Sequence, residues 1–179
     1  RVSNPAASGS AVASVLLDAN EHLETSRSSG IGTRQTVDTA HYTAWPRGEI
    51  VADALTLAAS AAHLSDLKKG LEITVYEVAD QLQVADYFVV VTGLNRPHVK
   101  AIHQELHVRL KAAGELHRRA EGADAFWWVL LDYGDVVVHI LQEEAREFYD
   151  LDQLYHDCPK IDWEAVELPE LPETSAAGS

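Results

Sequence analysis

Residues 130–141 read LLDYGDVVVHIL, and this stretch decides the fold. Two apolar runs flank a Tyr-Gly pair, a pattern that predicts two strands joined as a β-hairpin. Asp132 and Asp135 stand on either side of the corner, where facing like charges destabilise a strand pair unless another group compensates. Asp side chains also accept hydrogen bonds from nearby amides, and Gly134 supplies a positive φ. Ordinary turn chemistry therefore competes with a metal site or a catalytic carboxylate pair.

The segments around this hairpin extend it into a sheet with helices. Residues 71–78 alternate apolar and polar side chains, as in a strand with one wet face, and residues 86–93 form the continuous apolar run of a buried strand. Apolar residues at helical spacing predict three helices, over about 49–65, from Pro97 to near Gly114, and over about 143–155. Asn95 is expected to cap the second helix, with Pro97 in its first turn, and Phe148 is expected on the apolar side of the third. The order α-β-β-α-β-β-α predicts an α+β (α/β-like) domain, a mixed β-sheet flanked by helices.

Length and charge limit the classes of function. A chain of 179 residues suits one domain with tails. The formal charge of −14 argues against broad nucleic-acid binding and favours a basic partner. The single cysteine, Cys158, excludes an internal disulfide framework. No stretch approaches the ~20 consecutive apolar residues of a membrane span, so we expect a soluble protein.

Composition also divides the chain. Residues 1–46 are rich in Ser, Ala, Thr and Gly, which predicts an extension that is mostly disordered or loosely docked. Residues 159–179 contain three prolines and five acids against one lysine, which predicts an acidic tail. The folded domain is predicted at 47–158.

Two other motifs have possible ligand chemistry. Residues 92–98, TGLNRPH, open a predicted helix and could bind phosphate, but they lack the glycine spacing of a P-loop. His103 and His107 have the spacing of two metal ligands, but no third ligand stands nearby in sequence, so two exposed histidines are the better interpretation. Cys158, at the start of the tail, is poorly placed for a nucleophile. We predict neither a metal nor a cofactor.

The aromatic residues of the hairpin are compatible with two interpretations, a hydrophobic core and an interface. Trp127 and Trp128 are consecutive and would point to opposite faces of a strand. His139 shares a strand face with Asp135, and a lone strand histidine is usually structural. A strand pair that carries Trp, Tyr133 and His139 at one end also has the composition of an interface hot spot.

Taken together, the segments DYFVVVTG, HVKAIHQEL, WVLLDYGDVVVHIL and EEAREFYDLDQLY resemble the ribosomal silencing factor family, also called the Iojap family. The resemblance covers about residues 50–157 without a break. Its most specific part runs from Trp128 through the hairpin to Arg146 and Tyr149.

The resemblance implies a fold shaped like a nucleotidyltransferase without the catalytic carboxylates, and a protein that is not an enzyme. It implies binding to the large ribosomal subunit through ribosomal protein L-fourteen, a steric block to joining of the small subunit, and repression of translation under nutrient limitation. It also implies a bacterial cytoplasmic location, with plastid or mitochondrion as alternatives, and a possible homodimer when free.

Site roles follow from the resemblance as a hypothesis. The residues expected to form or support the partner-binding surface are Trp128, Tyr133, His139, Arg146 and Tyr149. Asp132, Gly134 and Asp135 are expected to shape the turn. Two rival functions remain: a small metal-dependent nucleotidyltransferase that uses both carboxylates, and a dimeric scaffold. The enzyme is disfavoured because such carboxylates usually stand one residue apart on a strand, whereas these stand three apart across a corner.

Overall fold

A computed structural model describes residues 53–82 and 84–170 of the chain. The predicted extension at 1–46 and the end of the predicted tail, from 171, lie outside these residues. Within them the helices are Ala54–Leu67 (α1), Arg96–Ala112 (α2), Glu143–Tyr149 (α3) and Leu151–Leu154 (α4). The strands are Leu71–Glu77 (β1), Tyr87–Gly93 (β2), Arg119–Glu121 (β3), Trp128–Asp132 (β4), Val136–Gln142 (β5) and Lys160–Ile161 (β6).

These strands form one mixed sheet in the order β3-β4-β5-β2-β1-β6. β2 and β5 run parallel at its centre, and the other neighbours are antiparallel. The continuous apolar run of β2 is buried from Phe88 to Gly93, as expected for a central strand covered on both faces. The predicted α+β class, a mixed sheet flanked by helices, is confirmed.

Two hydrophobic cores lie on opposite faces of the sheet. On one face α1 and α2 pack against side chains such as Val89, Val91 and Val138. On the other face the shorter helices α3 and α4 cover Phe88, Val90 and neighbouring residues. Successive residues of β2 thus alternate between the two cores, because strand side chains alternate between faces.

The start of α2 confirms the predicted local chemistry. Asn95 caps the helix by accepting a hydrogen bond from the amide of His98 at 3.0 Å, and Pro97 occupies the first turn. The His98 ring accepts a hydrogen bond from the Leu94 amide at 3.0 Å through Nδ1, and its Nε2 lies 2.7 Å from the Lys68 carbonyl oxygen. Two amides of the TGLNRPH turn therefore already have partners within the protein, which weakens the phosphate-binding interpretation.

The structure differs from the sequence predictions in three elements. The predicted helix over 143–155 is two helices, because Asp150 takes a left-handed conformation with φ of 45° between them. β3 was not predicted. Residues beyond the predicted boundary at 158 pack on the domain: β6 pairs with β1, and the Trp163 ring contacts His63 with centroids 4.8 Å apart. The stretch predicted as tail thus begins as part of the fold.

Candidate docking surface at one end of the sheet

The hairpin corner is built by turn chemistry. The Gly134 amide donates a hydrogen bond to Asp132 Oδ1 at 2.7 Å, and the Tyr133 amide donates to the Val136 carbonyl at 2.9 Å. Gly134 has a φ of 95° and Asp135 does not have a positive φ, which is the pattern of a type II′ turn. Asp132 pairs with Val137 in the ladder, so the prediction that the two carboxylates face each other is wrong.

The two aspartates thus serve the turn in different ways. Asp132 acts through its side chain, whereas Asp135 acts through its carbonyl, which accepts hydrogen bonds from the amides of Asp86 and Tyr87 at 2.7 and 3.0 Å. Among residues 53–82 and 84–170, no group of three or more His, Cys, Asp or Glu side chains could hold a metal ion. Nothing in this geometry favours the paired-carboxylate enzyme.

Cys158 lies in the core beneath α4. Its thiol contacts the side-chain oxygen of Gln81. Burial, together with the nearby carboxylate of Asp157, raises the pKa of the thiol to about 11. The thiol is protonated at neutral pH, and only the thiolate is a strong nucleophile.

Trp128 and His139 form a buried pair on adjacent strands. The Trp128 indole donates a hydrogen bond to Nδ1 of His139 at 3.2 Å, and His139 is only 1% exposed. The ring of Phe88 meets the imidazole edge-on with centroids 5.1 Å apart. Nε2 of His139 is buried and has no hydrogen-bond partner among the described residues. Neither side chain is free to touch a partner.

This pair makes stability depend on pH. Burial lowers the pKa of His139 from 6.5 to about 4, so the folded state disfavours protonation while the unfolded state does not. The contribution of His139 to stability is then constant above pH 6.5 and falls as the pH drops from 6.5 towards 4, by about 3 kcal/mol in total. In the variant His139→Asn, Oδ1 can still accept a hydrogen bond from Trp128. We expect this variant to have a smaller slope of unfolding free energy against pH, by the amount that corresponds to about one bound proton. Urea titrations at pH 4.5, 5.5, 6.5 and 7.5 measure that slope, and equal slopes for both proteins would contradict it.

Tyr133 and Arg146 are also buried. Tyr133 lies in the core under α1 and α2, where burial raises the pKa of its phenol. Arg146, 7% exposed, donates to both carboxylate oxygens of Asp152 at 2.8 and 3.0 Å, to the Glu72 carbonyl at 2.6 Å and to Thr92 Oγ1 at 2.9 Å. Arg146 thereby links α3 to β1, β2 and α4. Of the five predicted partner-binding residues, only Tyr149 reaches the surface.

The most exposed aromatic side chain among the described residues is one that the sequence reasoning did not select. Phe148, on α3, is 72% exposed. Its ring contacts Tyr149 and Trp127 with centroids 5.0 and 6.5 Å away, and Trp127 and Tyr149 lie 5.8 Å apart. Trp128 reaches the same Tyr149 ring at 4.6 Å, so the prediction that the two tryptophans point to opposite faces is wrong. Phe126, with a φ of 50°, turns the chain just before β4, and Trp127 precedes the strand.

Exposed acidic side chains lie on the same short helix as two of these rings. We define the docking surface as the aromatic residues Trp127, Phe148 and Tyr149 together with the exposed acids of α3, Glu143, Glu144 and Glu147. Exposed aromatic residues next to charge of one sign are the composition of an interface with a partner of the opposite charge. The sequence shows that Phe148 and Tyr149 are adjacent, so that on a helix they point about 100° apart, but it does not show which of the two is exposed.

Comparison with known proteins identifies the family of this chain. Residues 51–179 match the family model described as "RsfS: Ribosomal silencing factor during starvation". The chain belongs to the ribosomal silencing factor family. It is 38% identical over 90 residues to the ribosomal silencing factor of Zymomonas mobilis, covering 50% of this chain and 68% of that one. It is 35% identical over 102 residues to that of Bacillus subtilis, covering 57% and 86%.

A solved structure agrees with the fold. A Chromobacterium violaceum protein known from an X-ray crystal structure superposes with a TM-score of 0.57 at 26% identity, over 70% of this chain and 98% of that one. The ribosomal silencing factor match extends past residue 158, as the packing of β6 does. In the part of this family member that the structure describes, no helix has the length and apolar character to cross a membrane.

Proposed function

We propose that this protein binds the large ribosomal subunit through ribosomal protein L-fourteen and blocks joining of the small subunit by occupying its space. Translation is repressed in this way under nutrient limitation, in the bacterial cytoplasm. No bond is broken, so the protein is not an enzyme. A homodimer of the free protein would have to separate wherever it covers the same surface.

The docking surface is the observation that carries this proposal. Phe148 offers an exposed anchor, and large aromatic residues near the centre of an interface supply much of its binding energy. The acids of α3 complement a basic ribosomal protein and speed its approach. Buried Trp128, His139 and Arg146 support the surface from beneath, since they hold Tyr149 and α3 in place.

Co-sedimentation with separated ribosomal subunits tests the proposal. We expect the purified protein to pellet with the large subunit and not with the small one. Phe148→Asp should weaken binding about 100-fold, as expected when a hot-spot aromatic is lost and a charge takes its place. Because Phe148 is exposed, the variant should unfold at the same urea concentration as the parent protein.

A matched control separates the site from a general effect of added charge. Val84, 50% exposed, lies in the connection between β1 and β2, at the opposite end of the sheet from α3. Val84→Asp should bind the large subunit within about twofold of the parent protein, as surface changes away from an interface usually do. Failure to bind either subunit, or equal binding of Phe148→Asp and the parent, would contradict the proposal.

A further inference from the structure

Positive charge is concentrated in one part of this acidic chain. Residues 96–119 contain six of the 14 Lys and Arg residues but only two of the 28 Asp and Glu residues. Four of the nine histidines also fall within these 24 residues. The segment, α2 and the connection to β3, carries a net charge of +4, whereas the whole chain carries −14.

Helical spacing aligns part of this charge. Lys100, His103, His107 and Lys111 follow one another at intervals of three and four residues, so they share one face of α2. Lys100 and Lys111 are both exposed, and they stand about 16 Å apart along the axis at the helical rise of 1.5 Å per residue. The two lysines therefore mark the ends of a row along the helix, and the histidines between them are half-buried rather than exposed as predicted.

A histidine contact joins this row to the segment before β3. Nδ1 of His107 lies 3.0 Å from Nε2 of His117, which brings Arg118 to the Lys111 end of α2. Arg118 is exposed, and its guanidinium lies over the hairpin corner, where a Cβ on Gly134 would be 2.6 Å from its Cζ. The basic surface thus continues from α2 onto the corner. We define the basic stripe as Lys100, His103, His107, Lys111, His117 and Arg118.

Two of the neighbouring carboxylates pair with cations outside the stripe. Glu105, on α2, is 2.9 Å from Lys68 and 3.4 Å from Arg109, so it pairs outside the stripe. Glu121 pairs with Arg119 at 3.2 Å. Within the described residues Lys111 and Arg118 have no ion pair, and their charges face solvent. Burial, with the neighbouring histidines, lowers the pKa of His103 and His117, so lysine and arginine supply the charge at neutral pH.

We propose that the basic stripe contacts the phosphate backbone of ribosomal RNA when the docking surface engages the large subunit. The inference rests on the proposed function, which brings the protein to a surface made largely of RNA. Lysine and arginine in a row of this length can meet several phosphates of one strand, and such contacts position a protein without reading sequence. The overall charge of −14 opposes general nucleic-acid binding. Contact with RNA is therefore limited to the basic stripe.

The test removes two charges and measures salt dependence. Lys111→Gln with Arg118→Gln should weaken binding to the large subunit about tenfold at 50 mM salt and reduce the slope of log K against log salt by about 1.5. Lys69→Gln with Lys160→Gln removes the same charge from residues outside the stripe and should change neither quantity. Binding to isolated ribosomal protein L-fourteen, which contains no RNA, should be the same for both variants and the parent protein.

A second measurement keeps this inference separate from the proposed function. Fluorescence anisotropy at 20 mM salt with a 20-base-pair RNA duplex should detect weak binding by the full chain, lost in the stripe variant and retained in the control. That result would support the stripe even if L-fourteen does not bind. Equal duplex binding by all three proteins would overturn the inference. Binding to polyglutamate as tight as to the duplex would overturn it too, since the stripe would then fit acidic proteins.

Discussion

Replacing Arg146 with alanine is expected to lower the free energy of unfolding by about 3 kcal/mol, because removal of one partner of a buried ion pair leaves the other uncompensated. The guanidinium meets Asp152, the Glu72 carbonyl and the Thr92 hydroxyl at once. Burial alone would raise the pKa of Asp152, but hydrogen bonds from Arg146 and Tyr76 outweigh it and lower the pKa. Asp152 is 38% exposed and can regain some water, which keeps the loss near the lower end of the range for buried pairs.

Urea unfolding followed by tryptophan fluorescence measures this loss. Arg146→Lys keeps the charge but not the planar fork that donates to both Asp152 oxygens, so it should recover only part of the stability. In a double-mutant cycle with Asp152→Asn, the two changes should be strongly non-additive, since each removes the same interaction. A loss below about 1 kcal/mol for Arg146→Ala would mean that the network contributes no more than an exposed pair does.

The same change should affect docking without any direct contact. Arg146 fixes α3 against β1 and β2, and α3 carries Phe148. Under conditions in which the Arg146→Ala variant remains folded, its misplaced α3 should still weaken its binding to the large subunit. Binding at full strength would show that α3 keeps its position without the arginine.

Local chemistry made much of the fold predictable from sequence. The Asn95 cap, the Tyr-Gly corner and the apolar run of β2 each depend on residues close in the chain, and each appears where the pattern placed it. The periodicities of 3.6 and 2 residues then separate helices from strands. The class of the fold follows, because these elements bury their apolar faces best as a sheet covered by helices.

The elements that were missed depend on contacts distant in sequence. β3 is only three residues long and is held by pairing with β4, and β6 is held by pairing with β1. The break at Asp150 follows from an αL conformation that places Asp152 within reach of Arg146, a contact that periodicity does not encode. Short segments of this kind take their structure from their neighbours.

The candidate site was harder to predict for a related reason. Trp128, His139 and Arg146 belong to the most specific sequence pattern, yet they are buried and cannot contact a partner directly. Phe148 is the exposed aromatic, and helical periodicity placed it with the apolar side of a longer helix. Only the end of α3 at Tyr149 and the position of Trp127 before β4 reveal which aromatic ring faces solvent.

Gly122→Ala is expected to destabilise the protein by at least about 3 kcal/mol, through overpacking and backbone strain together. Gly122 has a φ of 76°, in the region that side chains disfavour. A Cβ at this position would lie 1.8 Å from the Trp128 carbonyl oxygen, so the backbone itself would have to move. The carbonyl belongs to β4, next to the indole that supports Tyr149, so the displacement should also reach the docking surface.

Gly114→Ala provides a control for this prediction. Gly114 also has a positive φ, 93°, but a Cβ there would meet nothing within 4 Å. Its replacement should therefore cost only the conformational strain, about 1–2 kcal/mol. Urea unfolding of both variants compares strain alone with strain plus collision. If the two substitutions lower the free energy of unfolding equally, the chain at residue 122 moves away from Trp128 without loss of stability. The close approach of this loop to β4 would then contribute nothing to the stability of this end of the sheet.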